Sequence, residues 1–269
     1  MELGISGLRV IVTAGAGGIG RVIADSFLQE GARVHICDVD ATAVEGFVVA
    51  HRGGPADGRA SGSVCDVSDR AQVDSLFAAA LDQLGGLDCL VNNAGIAGPT
   101  GPVHEIAPDD WDRCININLT GQFNCARLAV PHLLAAAKGP AANVSMLNLS
   151  SLAGRLGFAL RAPYAASKWG VVGLTRSLAI ELGPAGIRVN ALLPGVVAGD
   201  RQRRVLEAKA QARGIDFEAM EKLAFSFTSI KSYVTPEQLA NLALFTASPR
   251  GRTISGQSLS VCGDTNMLG

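Results

Sequence analysis

The stretch between residues 8 and 38 restricts the fold more than any other part of the chain. Residues 8–13 form a β-rich apolar run. Gly15, Gly17, Gly18 and Gly20 follow, and then an amphipathic helical pattern that ends near Glu30. Gly31 stands where a helix of that length needs its C-terminal cap. Residues 33–37 make a second apolar run, which ends at Asp38. A strand, a glycine turn, a helix and a strand within about 30 residues form a βαβ unit. Its turn lets backbone approach a pyrophosphate, and the N-terminus of the following helix stabilises the negative charge. Gly15, Gly17, Gly18, Ile19 and Gly20 are therefore candidate cofactor contacts. Asp38 can accept hydrogen bonds from a ribose diol and would repel a 2′-phosphate, which favours NAD over NADP. Arg21 is the counter-signal, but its place in the first helical turn points it toward solvent.

The same alternation continues along the chain. Strand-like runs are expected at 59–65, 88–91, 144–149, 187–192 and 257–261, and helices at 69–84, 121–137, 164–182 and 236–247. A further helix is expected to start at Asp109 or Asp110 as its cap and to run through Trp111 toward Asn118. Strands alternating with crossover helices predict one doubly wound, Rossmann-type α/β domain over residues 1–269. Its seven-stranded sheet is mostly parallel, with helices on both faces. Residues 196–235 break the rhythm with charged, helix-prone sequence. An insertion of that length past a strand's C-terminal end is expected to act as a lid. Arg201, Arg203 and Arg204 open it, and they read either as a solvated face or subunit contact, or as a seat for an anionic group.

Composition narrows the class. The chain has 269 residues, 48% apolar, with a formal net charge of -1. No basic stripe suggests nucleic acid, and no apolar run reaches the roughly 18 residues of a membrane span. The N-terminus lacks signal-peptide character, so a soluble cytoplasmic protein is expected. Cys37, Cys65, Cys89, Cys114, Cys125 and Cys262 include no Cys-x-x-Cys pair, and the histidines are scattered; no metal is expected, and the cysteines read as buried and inert.

The chemistry is concentrated between residues 150 and 168. A buried strand ends at Ser150, which places Ser151 where open α/β sheets bind ligands. The helix that follows has Pro163 near its start, and it carries Tyr164 and Lys168 four residues apart on one face. A free phenol, with a pKa of about 10, is a poor base at neutral pH. A lysine cation about 5 Å away, at an effective dielectric of about 20, favours the phenolate by roughly 3 kcal/mol. Ser151 is then placed to hydrogen-bond a substrate oxygen. Tyr-x-x-x-Lys alone is a common pattern, often no more than a packed tyrosine and a solvated lysine. Its weight here comes from the motifs around it.

Together these motifs resemble the short-chain dehydrogenase/reductase family over nearly the whole chain. The family's Thr-Gly-x-x-x-Gly-x-Gly turn reads Thr13-Ala14-Gly15-Ala16-Gly17-Gly18-Ile19-Gly20. Its Asn-Asn-Ala-Gly motif is Asn92-Asn93-Ala94-Gly95. Ser151, Tyr164 and Lys168 match the catalytic trio, with the usual step of 13 residues from serine to tyrosine. Asn118 matches the asparagine that supports a water-mediated proton relay to the lysine. Pro194-Gly195 matches a turn on the nicotinamide side, with Val197 close by, and Asp66 and Val67 join Asn93, Ala94 and Gly95 as expected cofactor contacts.

The resemblance implies reversible hydride transfer between NAD and a secondary alcohol or ketone. In it Tyr164 is the acid/base, Lys168 lowers its pKa and binds the nicotinamide ribose, Ser151 orients the substrate and Asn118 connects the lysine to solvent. Ala153, Phe158 and Arg161 join Ser151 and Tyr164 at the substrate, whose identity stays open among polyols, hydroxy acids and 3-oxoacyl thioesters. A homotetramer, or a dimer, is expected from the family. The alternatives are a non-catalytic NAD-sensing protein and a 3-oxoacyl thioester reductase of the same family. Ala14 replaces a glycine of the turn, Gly199 stands where a threonine is frequent, and Cys262-Gly263-Asp264 replaces a more usual Asp-Gly-Gly.

Overall fold

A computed structural model describes residues 2–139 and 142–267. The chain runs β1 (Arg9–Thr13), α1 (Gly18–Gln29), β2 (Arg33–Asp38), α2 (Ala41–Ala50), β3 (Ala60–Val64), α3 (Arg70–Leu84) and β4 (Cys89–Asn92). It continues through α4 (Pro108–Ile115), α5 (Gly121–Ala136), β5 (Ser145–Leu149), α6 (Ala162–Leu182) and β6 (Arg188–Pro194). The last elements are α7 (Asp200–Arg213), α8 (Phe217–Ser226), α9 (Pro236–Ala247) and β7 (Ser258–Val261).

The seven strands form one sheet in the order β3-β2-β1-β4-β5-β6-β7, and every pairing is parallel. The order reverses between β1 and β4, so the crevice at their C-terminal ends is the place where such a sheet binds its ligand. The strand alternation sorts the core. Val10 and Val12 of β1 face a cluster that holds Ile23, Phe27 and Leu28 of α1 and Leu244 of α9. Ile11 faces the opposite cluster, with Leu76 and Phe77 of α3 and Leu133 of α5. Burying a side chain such as Phe27 contributes about 1.5–3 kcal/mol. The central strands β4, β5 and β6 are buried along their whole length, as the middle of a two-sided sheet must be.

Three local expectations differ. The α4 cap is Ala107, which offers no side-chain bond, and Pro108 is the first helical residue. Asp109 and Asp110 lie inside the first turn, where a carboxylate favours the helix dipole. Between α4 and α5 the helix does not stop; residues Asn116–Thr120 widen into a π turn. Arg21 does not point freely to solvent. Its Nε donates to Asp25 at 2.8 Å and its guanidinium lies 4.9 Å from the Phe47 ring centre. No helix among the described residues is long and apolar enough to cross a membrane.

Candidate active site

The glycine turn folds as its sequence demands. Gly17 is the N-terminal cap of α1, and Gly18 follows with φ +52°. A Cβ added at either meets no protein atom within 4 Å, so this backbone faces open space. Gly15 and Gly20 are glycines for a different reason. A Cβ on Gly20 would lie 2.1 Å from the Ala14 carbonyl oxygen, and one on Gly15 would lie 2.7 Å from Ile36. They pack the turn against β1 and β2, whereas Gly17, Gly18 and Ile19 line the cavity above it. Asp38 closes that end of the cavity; its carboxylate accepts from the Ala16 amide at 3.3 Å. A dinucleotide fits here on two counts: a helix N-terminus with open glycine backbone for the phosphates, and a carboxylate at the end of β2 for the ribose.

The β4 turn is bonded to the same place. The Thr13 hydroxyl accepts from the amides of Asn93 at 2.9 Å and Ala94 at 3.0 Å. The Asn93 side chain donates to the carbonyls of Thr13 and Ala14. Its amide therefore braces the glycine turn, while Ala94 is buried behind the wall. Asp66 and Val67 also stand outside the cavity lining. Asp66 accepts from its neighbour Ser68, and the Val67 carbonyl accepts from Asn124.

On the far side of the switch point, β5 and α6 bring the trio together. A buried chain of amides fixes the strand end: Asn92 donates to Asn148 at 3.0 Å, and Asn148 donates to Thr175 of α6 at 3.0 Å. Tyr164, Lys168, Val171 and Thr175 follow one another on the face of α6 turned to the sheet. Lys168 is 3% exposed; its ammonium donates to the Leu149 carbonyl at 2.8 Å and lies 5.8 Å from the Tyr164 ring centre. The Ser151 hydroxyl is held at the mouth of the turn after β5 by the Ala153 amide, 3.2 Å away. Ser151, Tyr164 and Lys168 all line the cavity of about 510 Å³ that also holds Gly17, Gly18 and Asp38. Ala153 does not; it is fully buried beneath Ser151.

Burial works against the Tyr164 phenolate, but Lys168, Arg201, the Ser151 hydroxyl and Arg161 together outweigh it, so the phenol sits below its ordinary pKa. Burial is also the largest influence on Lys168 and lowers it; Tyr164 opposes this and Arg201 adds to it. Asn118 stands one layer behind. Its side chain accepts from the Ile96 amide at 2.7 Å and donates to the Ile96 carbonyl and the Ser167 hydroxyl. Only Gly95 separates it from the lysine: a Cβ there would lie 3.1 Å from the Asn118 oxygen and 3.3 Å from the Lys168 ammonium. The π turn puts Asn118 at this spot, and such bulges concentrate at functional sites.

The remaining wall comes from residues 194–209. Pro194, Gly195 and Val197 line the cavity, and Val197 bridges to Val234 at the other end of the helical insertion. Arg201 crosses the opening to donate to the Gly95 carbonyl at 2.9 Å. Arg203 turns away to pair with Glu207. Phe158 and Arg161 line the cavity as well. Lys209 of α7 joins them there, with its ammonium 4.5 Å from the Phe158 ring centre. Sequence reading missed Lys209, although it is two helical turns from Arg201 and so shares its face.

The comparisons agree with this geometry. A family model described as enoyl-(acyl carrier protein) reductase matches residues 14–264. The (2S)-[(R)-hydroxy(phenyl)methyl]succinyl-CoA dehydrogenase subunit BbsD of Thauera aromatica is 35% identical over 268 residues, which cover 99% of both chains. The short chain dehydrogenase/reductase dpchG of Colletotrichum higginsianum is 34% identical over 260 residues, 96% of this chain and 93% of that one. The chain belongs to the short-chain dehydrogenase/reductase family. Among solved structures, a variant of actinorhodin polyketide ketoreductase with NADPH superposes with a TM-score of 0.88 at 31% identity, covering 96% of each chain.

This short-chain dehydrogenase/reductase carries its departures as conformational facts. Ala14 has φ +49°, a left-handed conformation that costs an L-residue about 1–2 kcal/mol. Gly199 has φ +139°, which a threonine would adopt only under strain. Asp264 accepts from the Ser229 hydroxyl at 2.6 Å, so it ties the C-terminal segment to the end of the helical insertion. Five of the cysteines are buried, but Cys262 is half-buried, unlike the expectation for all six.

Proposed function

We propose that this enzyme oxidises a secondary alcohol to a ketone, reversibly, with NAD as the hydride acceptor. The observation that supports it is the convergence of Ser151, Tyr164 and Lys168 on one cavity that also contains the glycine turn and Asp38. Bound there, the nicotinamide supplies the hydride chemistry; the protein supplies position and charge. Tyr164, as phenolate, takes the hydroxyl proton of the alcohol. The Ser151 hydroxyl orients the substrate oxygen against it. Lys168 holds the phenolate form and hydrogen-bonds the ribose, and the Asn118 turn connects the lysine to solvent. Gly17, Gly18 and Ile19 cradle the phosphates, and Pro194, Gly195 and Val197 border the nicotinamide. Asp38 selects NAD by repelling a 2′-phosphate, and Arg21, spent on Asp25 and Phe47, offers that phosphate no partner. The test is nicotinamide absorbance with each of NAD and NADP over a panel of acidic and neutral secondary alcohols. Turnover with NAD is expected to exceed turnover with NADP by at least about 10-fold, and an NADP preference would overturn the role of Asp38.

We also propose that the enzyme is a single lid-bearing domain that assembles as a homotetramer. Residues 196–235 form its lid, supported by the Arg201–Gly95 contact across the opening. Phe123 of α5 and Trp169 and Ile180 of α6 are exposed large apolar side chains on the two helices expected to pack against other copies. Native mass in solution at micromolar concentration tests the assembly. A monomer would rule it out.

A further inference from the structure

Arg161 is 1% exposed, and it is among the largest fully buried side chains of the protein. Its Nη2 donates to the Ala97 carbonyl. Its Nε and Nη1, which carry three N–H donors, have no acceptor among the described residues. Buried donors of a cation that go unsatisfied cost more than a completed hydrogen bond returns, so such an arrangement needs a reason. Arg161 lines the cavity beside the reacting group, with its guanidinium 5.1 Å from the Tyr164 ring centre and 5.3 Å from that of Phe158.

A second buried cation stands with it. Lys209 is 3% exposed and reaches Phe158 from α7. Burial is the main influence that lowers its pKa, to about 8, and Arg213 and Arg161 add to it. Neither cation pairs with a carboxylate among the described residues; Asp38 and Asp200 are the acids among the described lining residues, and Asp38 is at the glycine-turn end. The backbone is also strained in this place. Leu160, just before Arg161, has φ +63°. For a residue without glycine's freedom this costs about 1–2 kcal/mol, and strain of this kind concentrates at ligand clamps. The dinucleotide phosphates do not account for these cations, since their cradle lies at Gly17 and Gly18, where α1 begins.

We propose that Arg161, with Lys209 across Phe158, seats a carboxylate of the substrate, and that the substrate is a short hydroxy acid, or the matching oxo acid. The proposal rests on the hydride-transfer reading for the word substrate, but the seat itself is a binding site that can be tested without turnover. A group this close to Tyr164 is within a few carbons of the reacting carbon. Phe158 gives the chain between them an apolar wall.

The experiment has a binding arm and a kinetic arm. Calorimetric titration of the whole protein, with and without NAD, uses butyrate and its neutral counterpart butyramide. Butyrate is expected to bind and butyramide not, and Arg161→Met is expected to weaken butyrate by about 100-fold, the loss typical of one partner of a buried charge pair. Kinetics then compare short 2-hydroxy and 3-hydroxy acids with their methyl esters. The ratio of kcat/KM for acid over ester is expected to fall by about 100-fold in Arg161→Met, mainly through KM. It should fall by about 10-fold in Lys209→Met and recover in part in Arg161→Lys, which keeps the charge. Circular dichroism and the Tm of each variant separate these losses from misfolding. Equal butyrate binding by wild type and Arg161→Met, or parallel loss of acid and ester, would overturn the seat and leave Arg161 as a brace for the Ala97 carbonyl. Butyrate binding that depends on Arg161, with no turnover of any alcohol, would instead uphold the seat and overturn the hydride-transfer reading.

Discussion

Tyr164→Phe is expected to lower kcat about a thousandfold while NAD affinity stays within a few-fold of wild type. The change removes one hydroxyl and nothing else. General acid–base catalysis by a positioned group contributes about 10²–10⁴-fold, and no other described group in the cavity stands ready to replace it. Ser151 is held by the Ala153 amide, and a free serine hydroxyl is too weak an acid to carry the proton. The ring itself stays. Its faces lie near Arg161 and Lys168, contacts that need the π system and not the oxygen. Fold and nucleotide cradle are therefore expected to survive, and the loss should appear in kcat. Steady-state kinetics paired with a fluorescence titration of NAD checks both halves. Near-normal turnover would remove Tyr164 from the chemistry; a parallel loss of NAD binding would make it a structural residue.

The parts of this molecule that were legible in sequence are those decided by local chemistry. Helix α9 begins where expected because Thr235 and Gln238 form a capping box around Pro236. The inner strands β1, β4 and β6 were legible because a two-sided sheet writes apolar runs, whereas β3, half-exposed and rich in small residues, is written weakly. Ser151, Tyr164 and Lys168 came out because helical period and strand end suffice to bring them together. Helix α2 was not read at all. Its residues include β-branched Thr42, Val44, Val48 and Val49 and also Gly46, a composition that opposes helix, and its stability comes from packing Val44 and Phe47 under the sheet. Tertiary direction was equally hidden. Asn93 lines the cavity, as a cofactor contact would, but its bracing of the glycine turn through its side-chain amide gave no sign in sequence. Helical spacing puts Lys209 on the face of Arg201, but Phe158, the group it meets, is 51 residues away in the chain, and no local pattern joins the two. Arg161 was legible as a residue at the substrate, but its burial and its missing acceptors, which set it apart from Arg203 paired with Glu207 at the surface, were not.

Lys168→Met is the second large effect, and its pH dependence says why the lysine is there. At neutral pH alcohol oxidation is expected to fall by about 100-fold or more. Lys168 is the foremost of the cations that hold the Tyr164 phenol below its ordinary pKa, against a burial effect that pushes the other way. An ammonium about 6 Å away at an effective dielectric of about 20 is worth roughly 3 kcal/mol to the phenolate. Without it, burial is opposed only by Arg201, Ser151 and Arg161, and the phenol titrates higher than in the wild type. Oxidation needs the phenolate, so its rising limb is expected to move to higher pH, and the variant should regain part of its rate in alkali. Ketone reduction needs the neutral phenol as acid, so at neutral pH that direction is expected to suffer less. A packing defect would lower both directions alike and leave the limb where it was. Stability gives an independent control. In the folded protein Lys168 is depressed by burial, so keeping it charged at neutral pH costs stability that rising pH would relieve. Methionine removes that cost and loses the bond to the Leu149 carbonyl, and the two changes oppose each other. The Tm of Lys168→Met at neutral pH is therefore expected to stay within a few degrees of wild type, and the lost rate then belongs to the charge that Lys168 brings to Tyr164.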